Sequence, residues 1–319
     1  MNRIGGGSPD GKGVVRVWNA AGGAPVWSAG DHASEVLAVA FAPDGSSIAS
    51  ASADGLIKLR DPRTGSVART LPDHAGGATS LAFTADGAAL ACGGGDGTTS
   101  LWETRTGRRI RTFRPAYSQA GTIKGERPIT SIALSRDGET LATCTSGVNQ
   151  TIAEPVRLWD LRTGELKREF SEPAIKGRPM ALSPDGAILA TGGKSVRLWD
   201  ARTGKPLREL IGHLKRTQSI TFSADGRLLV SGGSYGTTNA WEVASGRHLV
   251  TLFAFPERCN GTVEEEWLAY HPDGYYDGSP GVDRLLAWRV GDELLTPEAL
   301  GPRLHRPDRL TDALKLRPR

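Results

Sequence analysis

Cysteine, long apolar runs and clustered charge are scarce in this 319-residue chain, and each shortage excludes a class of protein. The three cysteines, Cys92, Cys144 and Cys259, form no Cys-x-x-Cys pair. We therefore expect neither a disulfide framework nor a metal site, because both need characteristic cysteine spacings. No segment reaches the roughly 18 uninterrupted apolar residues of a membrane span. The chain also opens without an apolar secretory stretch, which predicts a cytoplasmic protein.

A strongly charged folded surface is absent as well. The formal net charge is +4, from 39 basic and 35 acidic residues. Six of those basic residues and two of the acidic ones fall within residues 301–319, so the first 300 residues carry 33 of each sign. A nucleic-acid-binding surface needs Lys and Arg clustered on a folded face. We therefore expect protein partners, no nucleic-acid or membrane partner, and a monomer.

The chain is rich in glycine, with 41 residues, and a repeated unit runs through it. Each unit has an Asp-Gly turn, a strand that ends in Trp-Asp or a related pair, and then a turn that usually reads Arg-Thr-Gly. The Asp-Gly turns recur at Asp44, Asp86, Asp137, Asp185, Asp225 and Asp273. The strand ends recur at Trp18, Arg60, Trp102, Trp159, Trp199, Trp241 and Trp288. The default unit is 42 residues, the separation of the first two turns.

Every unit holds four short runs with alternating apolar residues, which predicts four β-strands per unit. In the second unit these runs are Val36–Phe41, Ser47–Ala51, Leu56–Arg60 and Val67–Leu71. Four strands per repeat indicate an all-β protein of β-propeller blades. The units resemble WD40 repeats over about residues 13–290. The resemblance implies a seven-bladed WD40 β-propeller whose first blade is incomplete.

The resemblance also implies a buried hydrogen-bond network of His, Ser or Thr, Asp and Trp in each blade, because a buried Asp or indole N–H needs partners. The motif is present only in pieces. The second unit keeps three members but has Arg60 in place of Trp, and the third has Cys92 at the hydroxyl position. The implied structural residues are His32, Ser50, Asp54, His74, Asp96, Trp102, Trp159, Trp199, His213, Ser231 and Trp241.

Features that suggest an enzyme have simpler structural interpretations. The run Gly93–Gly97 lacks the Lys-Ser/Thr and the helix of a phosphate-binding loop, so we interpret it as a turn. Carboxylates that recur once per unit are typical of turn chemistry and not of one active site. The acidic run Glu264–Glu266 is interpreted as a solvated strand entry. We expect no catalytic residue, no metal and no cofactor. A hydrolytic propeller enzyme is the more distant alternative.

Insertions into the 42-residue unit point to a binding face. They fall around 113–128, 146–155 and 253–264, in links that share one end of a four-stranded blade. Loops on a rigid scaffold often carry function, and aromatic and Arg side chains often carry interface energy. The candidate partner-binding residues are Phe113, Arg114, Tyr117, Lys124, Arg127, Phe253, Phe255 and Arg258.

The last unit, residues 267–309, resembles the C-terminal element of certain bacterial WD-repeat proteins through its GYYDGSPG and WRVGDE segments. We assign residues 1–290 to the propeller and residues 291–319 to a C-terminal extension. That extension has short helices near 297–303 and 308–315 and a basic end that folding does not need. The sequence favours a non-catalytic scaffold for protein–protein interactions. A regulatory or sensor module, or a fragment, of a bacterial signalling or caspase-like peptidase system is the alternative.

Overall fold

The computed structural model describes most of the repeats and part of the C-terminal region. The described residues are 2–6, 13–19, 22–72, 76–115, 127–145, 154–172, 179–213, 215–234, 236–259, 262–279, 288–290, 293–295 and 304–314. The chain divides into two compact units, residues 1–189 with 200–205, and residues 190–199 with 206–319.

The first unit contains antiparallel sheets formed from strands that are consecutive in the chain. A three-stranded sheet comes first, with β1 (Asn2–Gly6), β2 (Gly13–Asn19) and β3 (Pro25–His32). The next sheet has β4 (Val36–Phe41), β5 (Ile48–Ser52), β6 (Leu56–Arg60) and β7 (Val67–Pro72). It is followed by β8 (Ala78–Phe83), β9 (Ala89–Gly94), β10 (Thr99–Glu103) and β11 (Arg109–Phe113). The third four-stranded sheet has β12 (Ile129–Leu134), β13 (Thr140–Thr145), β14 (Glu154–Asp160) and β15 (Leu166–Glu172). The first repeat thus has three described strands where the following repeats have four.

A fourth four-stranded sheet has β16 (Met180–Leu182), β17 (Ile188–Thr191), β18 (Val196–Asp200) and β19 (Pro206–Leu210). The second unit contains a six-stranded sheet, with β20 (Thr217–Phe222), β21 (Leu228–Gly233), β22 (Thr237–Glu242), β23 (His248–Cys259), β24 (Thr262–Tyr270) and β25 (Tyr276–Gly278). A separate hairpin has β26 (Trp288–Val290) and β27 (Glu293–Leu295). Helix α1 (Pro307–Leu314) matches the second predicted helix, whereas 297–303 lies outside the described residues.

The seventh repeat departs from the predicted architecture. Its first strand, β24, pairs with β23 over nine residue pairs, from Thr251↔Tyr270 to Cys259↔Thr262. Only two residues, Asn and Gly in sequence, separate those strands, and such a short link favours an adjacent antiparallel partner. The described residues therefore contain a sixth sheet extended to six strands and no separate seventh four-stranded sheet. The prediction of seven blades is not confirmed.

Turn chemistry explains why the strands end where they do. At the second Asp-Gly turn, the Asp86 carboxylate accepts hydrogen bonds from the Thr84 hydroxyl (2.6 Å) and the Ala88 N–H (3.0 Å). Gly87 has φ +68°, a left-handed conformation that glycine adopts without steric cost. At the first Arg-Thr-Gly turn, Asp61 accepts N–H groups from Arg63 (2.7 Å) and Thr64 (2.9 Å). The repeated carboxylates therefore hold turns, as predicted.

Apolar side chains between neighbouring sheets of the first unit form its core. One cluster joins the sheets β4–β7 and β8–β11 and includes Ile57, Leu59, Leu90 and Trp102. Every residue of β9 is buried, which fits a strand covered on both faces. Cys92 and Cys144 are both fully buried in this unit.

Candidate functional site

A hydrogen-bond network in the six-stranded sheet places His, Ser and Trp together as the resemblance implied. The Trp241 indole N–H donates to Ser231 Oγ at 3.0 Å, and Ser231 Oγ lies 2.7 Å from His213 Nε2. His213 Nδ1 is 3.4 Å from Thr237 Oγ1, so a threonine hydroxyl makes the contact that the motif's Asp would make; Tyr235, at the Asp position of the sequence, lies outside the described residues. Trp241 is 1% exposed and Ser231 is fully buried. Burial lowers the pKa of His213, which favours the neutral ring.

A second histidine extends this network in a way that the sequence pattern did not indicate. The His248 ring stacks on Trp241, with centroids 4.5 Å apart, and its Nε2 lies 3.0 Å from Thr251 Oγ1. That hydroxyl donates to Asn239 Oδ1 at 2.6 Å. Burial also lowers the pKa of His248. Both imidazoles are half-buried, have a lowered pKa and contact fixed hydrogen-bond partners, so they contribute to the packing of the sheet.

The sheet β4–β7 holds the same motif with one replacement. His32 lies 3.1 Å from Asp54 Oδ2 and 2.9 Å from Ser50 Oγ, as implied. Arg60, which takes the place of Trp, is 1% exposed and forms an ion pair with Asp31. Lys58 lies 3.2 Å from the same carboxylate. Partial burial raises the pKa of Asp31, but the hydrogen bonds and charges of the two cations outweigh it and lower that pKa to about 2.

The other sheets carry reduced versions of the motif. Trp159 donates to Thr143 Oγ1 at 2.9 Å, and Trp199 donates to Thr191 Oγ1 at 3.0 Å. In the sheet β8–β11, Asp96 accepts hydrogen bonds from the Thr98 N–H and hydroxyl, while Trp102 is 6% exposed. His74 lies outside the described residues.

The sequence pattern did not predict a repeated contact between neighbouring sheets. Trp27, Arg111 and Arg208 each stand four residues after a turn glycine and reach the corresponding turn of the following sheet. The Trp27 indole donates to Pro62 O at 2.9 Å, and Arg111 Nη2 donates to Arg162 O at 2.9 Å. Within the second unit, Arg208 donates to Ala244 O at 2.5 Å. Arg recurs at this position in residues 69, 111, 168 and 208, a sequence signal that identifies the contact.

The same side chains leave no room beside the turn glycines. A Cβ atom on Gly65 would lie 2.7 Å from the Trp27 ring, and one on Gly164 would lie 2.8 Å from Arg111 Cδ. We call these contacts the turn clasps. A turn clasp requires glycine for two reasons: a side chain would collide with the clasping residue, and the backbone has a positive φ.

The structure corrects one predicted partner-binding residue and leaves others undescribed. Phe113 is 2% exposed and packs edge-on against Trp159 at 5.9 Å, so it belongs to the core. It ends strand β11, where the neighbouring sheet covers it. Arg114 is exposed and Arg127 is half-buried. Tyr117 and Lys124 lie outside the described residues, as do the side chains of Phe255 and Arg258 within β23. Phe253 is half-buried and stacks on Tyr270 at 5.8 Å.

The described strands show where the insertions leave their sheets. In the sheet β12–β15, Ile129 pairs with Thr145 and Glu154 pairs with Glu172. The links that precede Ile129 and follow Thr145 therefore start from the same end of that sheet, as predicted. In the six-stranded sheet, Thr237 pairs with Phe253 at the corresponding end.

The third insertion is a β-hairpin and not the predicted loop. Beyond Phe253, β23 continues to Cys259 and pairs with β24 along its length. Two large apolar side chains at the base of this hairpin are exposed to solvent, Leu252 at 44% and Trp267 at 44%. The exposure of Trp267 depends on which strand β24 joins, so it could not be predicted from the sequence.

The described residues contain no group of three or more His, Cys, Asp or Glu side chains arranged to hold a metal ion. No helix in the described part of the chain is long and apolar enough to cross a membrane.

Comparison with known families agrees with this geometry. The family described as "WD domain, G-beta repeat" (WD40) matches residues 23–61, 65–103, 117–152 and 204–242. No curated protein matches the chain. WD40 repeats typically mediate protein–protein interactions. Four matched repeats, antiparallel four-stranded sheets and the His–Ser–Trp networks show that the chain belongs to the WD40-repeat family.

Proposed function

We propose that this chain is a non-catalytic scaffold that binds protein partners through the ends of its sheets that bear the insertions. The observation that carries the proposal is the β23–β24 hairpin, which extends its sheet beyond Phe253 and has Leu252 and Trp267 exposed at its base. Large exposed apolar side chains grouped at one site are typical of interaction surfaces.

The residue types at the hairpin base suit protein recognition. Trp is among the side chains that contribute most to interface energy, at roughly 2 kcal/mol or more when it becomes buried at the centre. The histidines and carboxylates of the networks and turns already have structural partners, such as His32 with Asp54 and Ser50. The exposed hairpin base is therefore the feature best suited to act on another molecule.

The experiment compares two single substitutions in the full chain. Trp267→Ser removes the exposed indole, whereas Leu207→Ser removes an equally exposed residue (49%) near the turn end of β19. Partners captured from the native cell are identified by mass spectrometry, and binding of each purified partner is then measured by calorimetry. We expect Trp267→Ser to weaken binding about 30-fold, the equivalent of roughly 2 kcal/mol, with the melting temperature unchanged.

The control variant should retain partner binding. The proposal fails if Trp267→Ser binds every partner as tightly as the parent chain, or if Leu207→Ser weakens binding to the same extent. The non-catalytic assignment would be overturned by a hydrolytic activity of the purified chain. That activity would have to disappear when a network histidine is substituted without loss of folding.

A further inference from the structure

The outer edge of the six-stranded sheet is covered by a segment from the end of the same chain. We call residues 304–314 the C-terminal strap. Tyr276 of the edge strand β25 forms a parallel bridge with His305, and the Arg306 N–H donates to Tyr276 O at 2.9 Å. The strap therefore adds a very short strand to a sheet edge, which is how extended peptides bind such edges.

The first anchor of the strap is an apolar side chain on one face of the sheet. Leu304 packs against the buried side chains of Leu268 and Tyr276, and Phe253 and Tyr270 pack against the same cluster. This apolar cluster is contributed by three strands, so it does not depend on the strap.

His305, the residue after this anchor, contacts the edge strand through its ring and through a neighbouring carboxylate. His305 stacks on Tyr276 at 5.2 Å, and its Nε2 lies 3.2 Å from Asp277 Oδ1. A planar or basic side chain fits this position because it meets an aromatic face beside a carboxylate.

The second anchor lies on the opposite face. Leu310 of α1 is 5% exposed and packs with Val250 and Ala269. Leu268 and Ala269 are neighbours in β24, and consecutive strand residues point to opposite faces. The strap thus passes around the edge of the sheet and holds both sides. This packing argues against the expectation that the basic end is irrelevant to folding.

The connection between strap and sheet is nevertheless short. One bridged pair joins the strap to β25, whereas β24 and β25 share three pairs and β23 and β24 share nine. Arg306 pairs with Asp308 inside the strap itself. Arg309 adds a contact with the Tyr275 ring at 5.4 Å.

We propose that the edge of β25 is a docking site for an extended partner peptide, and that the C-terminal strap occupies it as an internal ligand. The peptide has a leucine-like residue, then a planar or basic residue, a backbone that pairs parallel to β25, and a following helical turn with a second apolar side chain. Binding requires displacement of the strap. The apparent affinity is therefore the intrinsic affinity multiplied by the fraction of molecules whose strap is open. This site adjoins the hairpin base of the proposed function on strands β23 and β24, but the residues that hold the strap do not include Leu252 or Trp267.

The test uses the full chain and a fluorescent synthetic peptide with the sequence of residues 302–314. The double variant Leu304→Ser, Leu310→Ser releases both anchors, and Leu207→Ser is the matched control for an exposed leucine elsewhere. We expect the released variant to bind the peptide at least tenfold more tightly than the parent and control chains. A peptide with Ser at the position of Leu304 should lose at least tenfold.

A second form of the chain decides the matter if the double variant does not fold. A protease site is inserted between Leu300 and Gly301, and the purified full chain is then cut. We expect the cut strap to stay bound and to exchange with excess labelled peptide, as measured by native mass spectrometry. The proposal is overturned if the released or cut chain keeps its sheet structure but takes up no peptide, or if parent and released chains bind it equally.

Discussion

The Ser231 hydroxyl joins a tryptophan and a histidine, and its removal tests the energetic role of the network. Ser231 is fully buried, accepts the Trp241 N–H at 3.0 Å and contacts His213 Nε2 at 2.7 Å. Ser231→Ala deprives the buried Trp241 N–H and the half-buried His213 ring of this partner. A buried group left without a partner costs about 1–3 kcal/mol and a half-buried one about 1 kcal/mol, so we expect a loss of about 2–4 kcal/mol in the free energy of unfolding.

The sheet β4–β7 offers a matched control. Ser50 is equally buried and contacts His32 at 2.9 Å, but Arg60 stands where the tryptophan would donate. Ser50→Ala therefore deprives one group, and His32 keeps its contact with Asp54. We expect the free energy of unfolding to fall by about 1–2 kcal/mol. This loss is smaller than that at Ser231 by roughly the cost of leaving one buried indole N–H without a partner.

Urea denaturation followed by tryptophan fluorescence and circular dichroism measures both losses on the same scale. Hydrogen exchange of the amides in β21 and β5 then shows whether each loss is local to its own sheet. The reasoning is refuted if the two alanine variants are equally stable, or if Ser50→Ala is the more damaging change.

Three further predictions concern the clasps, the buried arginine and pH. Arg111→Ala should cost about 1 kcal/mol through the lost turn clasp, while Arg105→Ala, at an exposed turn position, should change stability by less than about 0.5 kcal/mol in the same urea titration. Asp31→Asn leaves the buried Arg60 charge without its anion and should lower the free energy of unfolding by about 1–3 kcal/mol. This loss is smaller than that for a fully buried ion pair because Asp31 is 42% exposed. Arg60→Trp should instead preserve or raise the melting temperature, since an indole there would meet the Ser50 hydroxyl, as indoles meet a Thr or Ser hydroxyl in three other sheets. A fall of several degrees contradicts this. The lowered pKa of His213 means that the unfolded chain binds the proton more tightly. The neutral His213 ring thus contributes fully to stability above about pH 6.5, the ordinary pKa, and that contribution is lost as the pH falls through the lowered value. The melting temperature of a His213→Gln variant should therefore fall less between pH 7.5 and 5 than that of the parent chain.

Local chemistry explains which parts of the fold were predictable. The runs Val36–Phe41 and Leu56–Arg60 match β4 and β6 residue for residue. Asp-Gly and Arg-Thr-Gly turns depend on hydrogen bonds within a few residues, as between Asp61 and Thr64, so they are visible in the sequence. The contacts of Ser231 with His213 and Trp241, members that this unit retains, were also predictable because the register across β21 and β22 repeats with the unit.

Residues whose role depends on a neighbouring sheet were harder to assign. Phe113 was predicted to bind a partner because it borders an insertion, yet it is buried against Trp159 of the next sheet. Arg111 recurs at a fixed position, but only the contact with Arg162 O shows what that position does. A one-dimensional pattern records that a residue recurs, and not which surface will cover it.

The sequence by itself determined the repeat period, the all-β class, the turns and the composition of the networks, since each follows from short-range hydrogen bonding and alternation. Only the tertiary structure decided that β24 pairs with β23, that Trp267 is exposed and that Leu310 holds the edge of the same sheet. A strand with an apolar face can pair with several neighbours, and its choice depends on long-range competition between edges. The Asn-Gly link is a local signal for the β23–β24 hairpin, but it does not record the outcome of that competition.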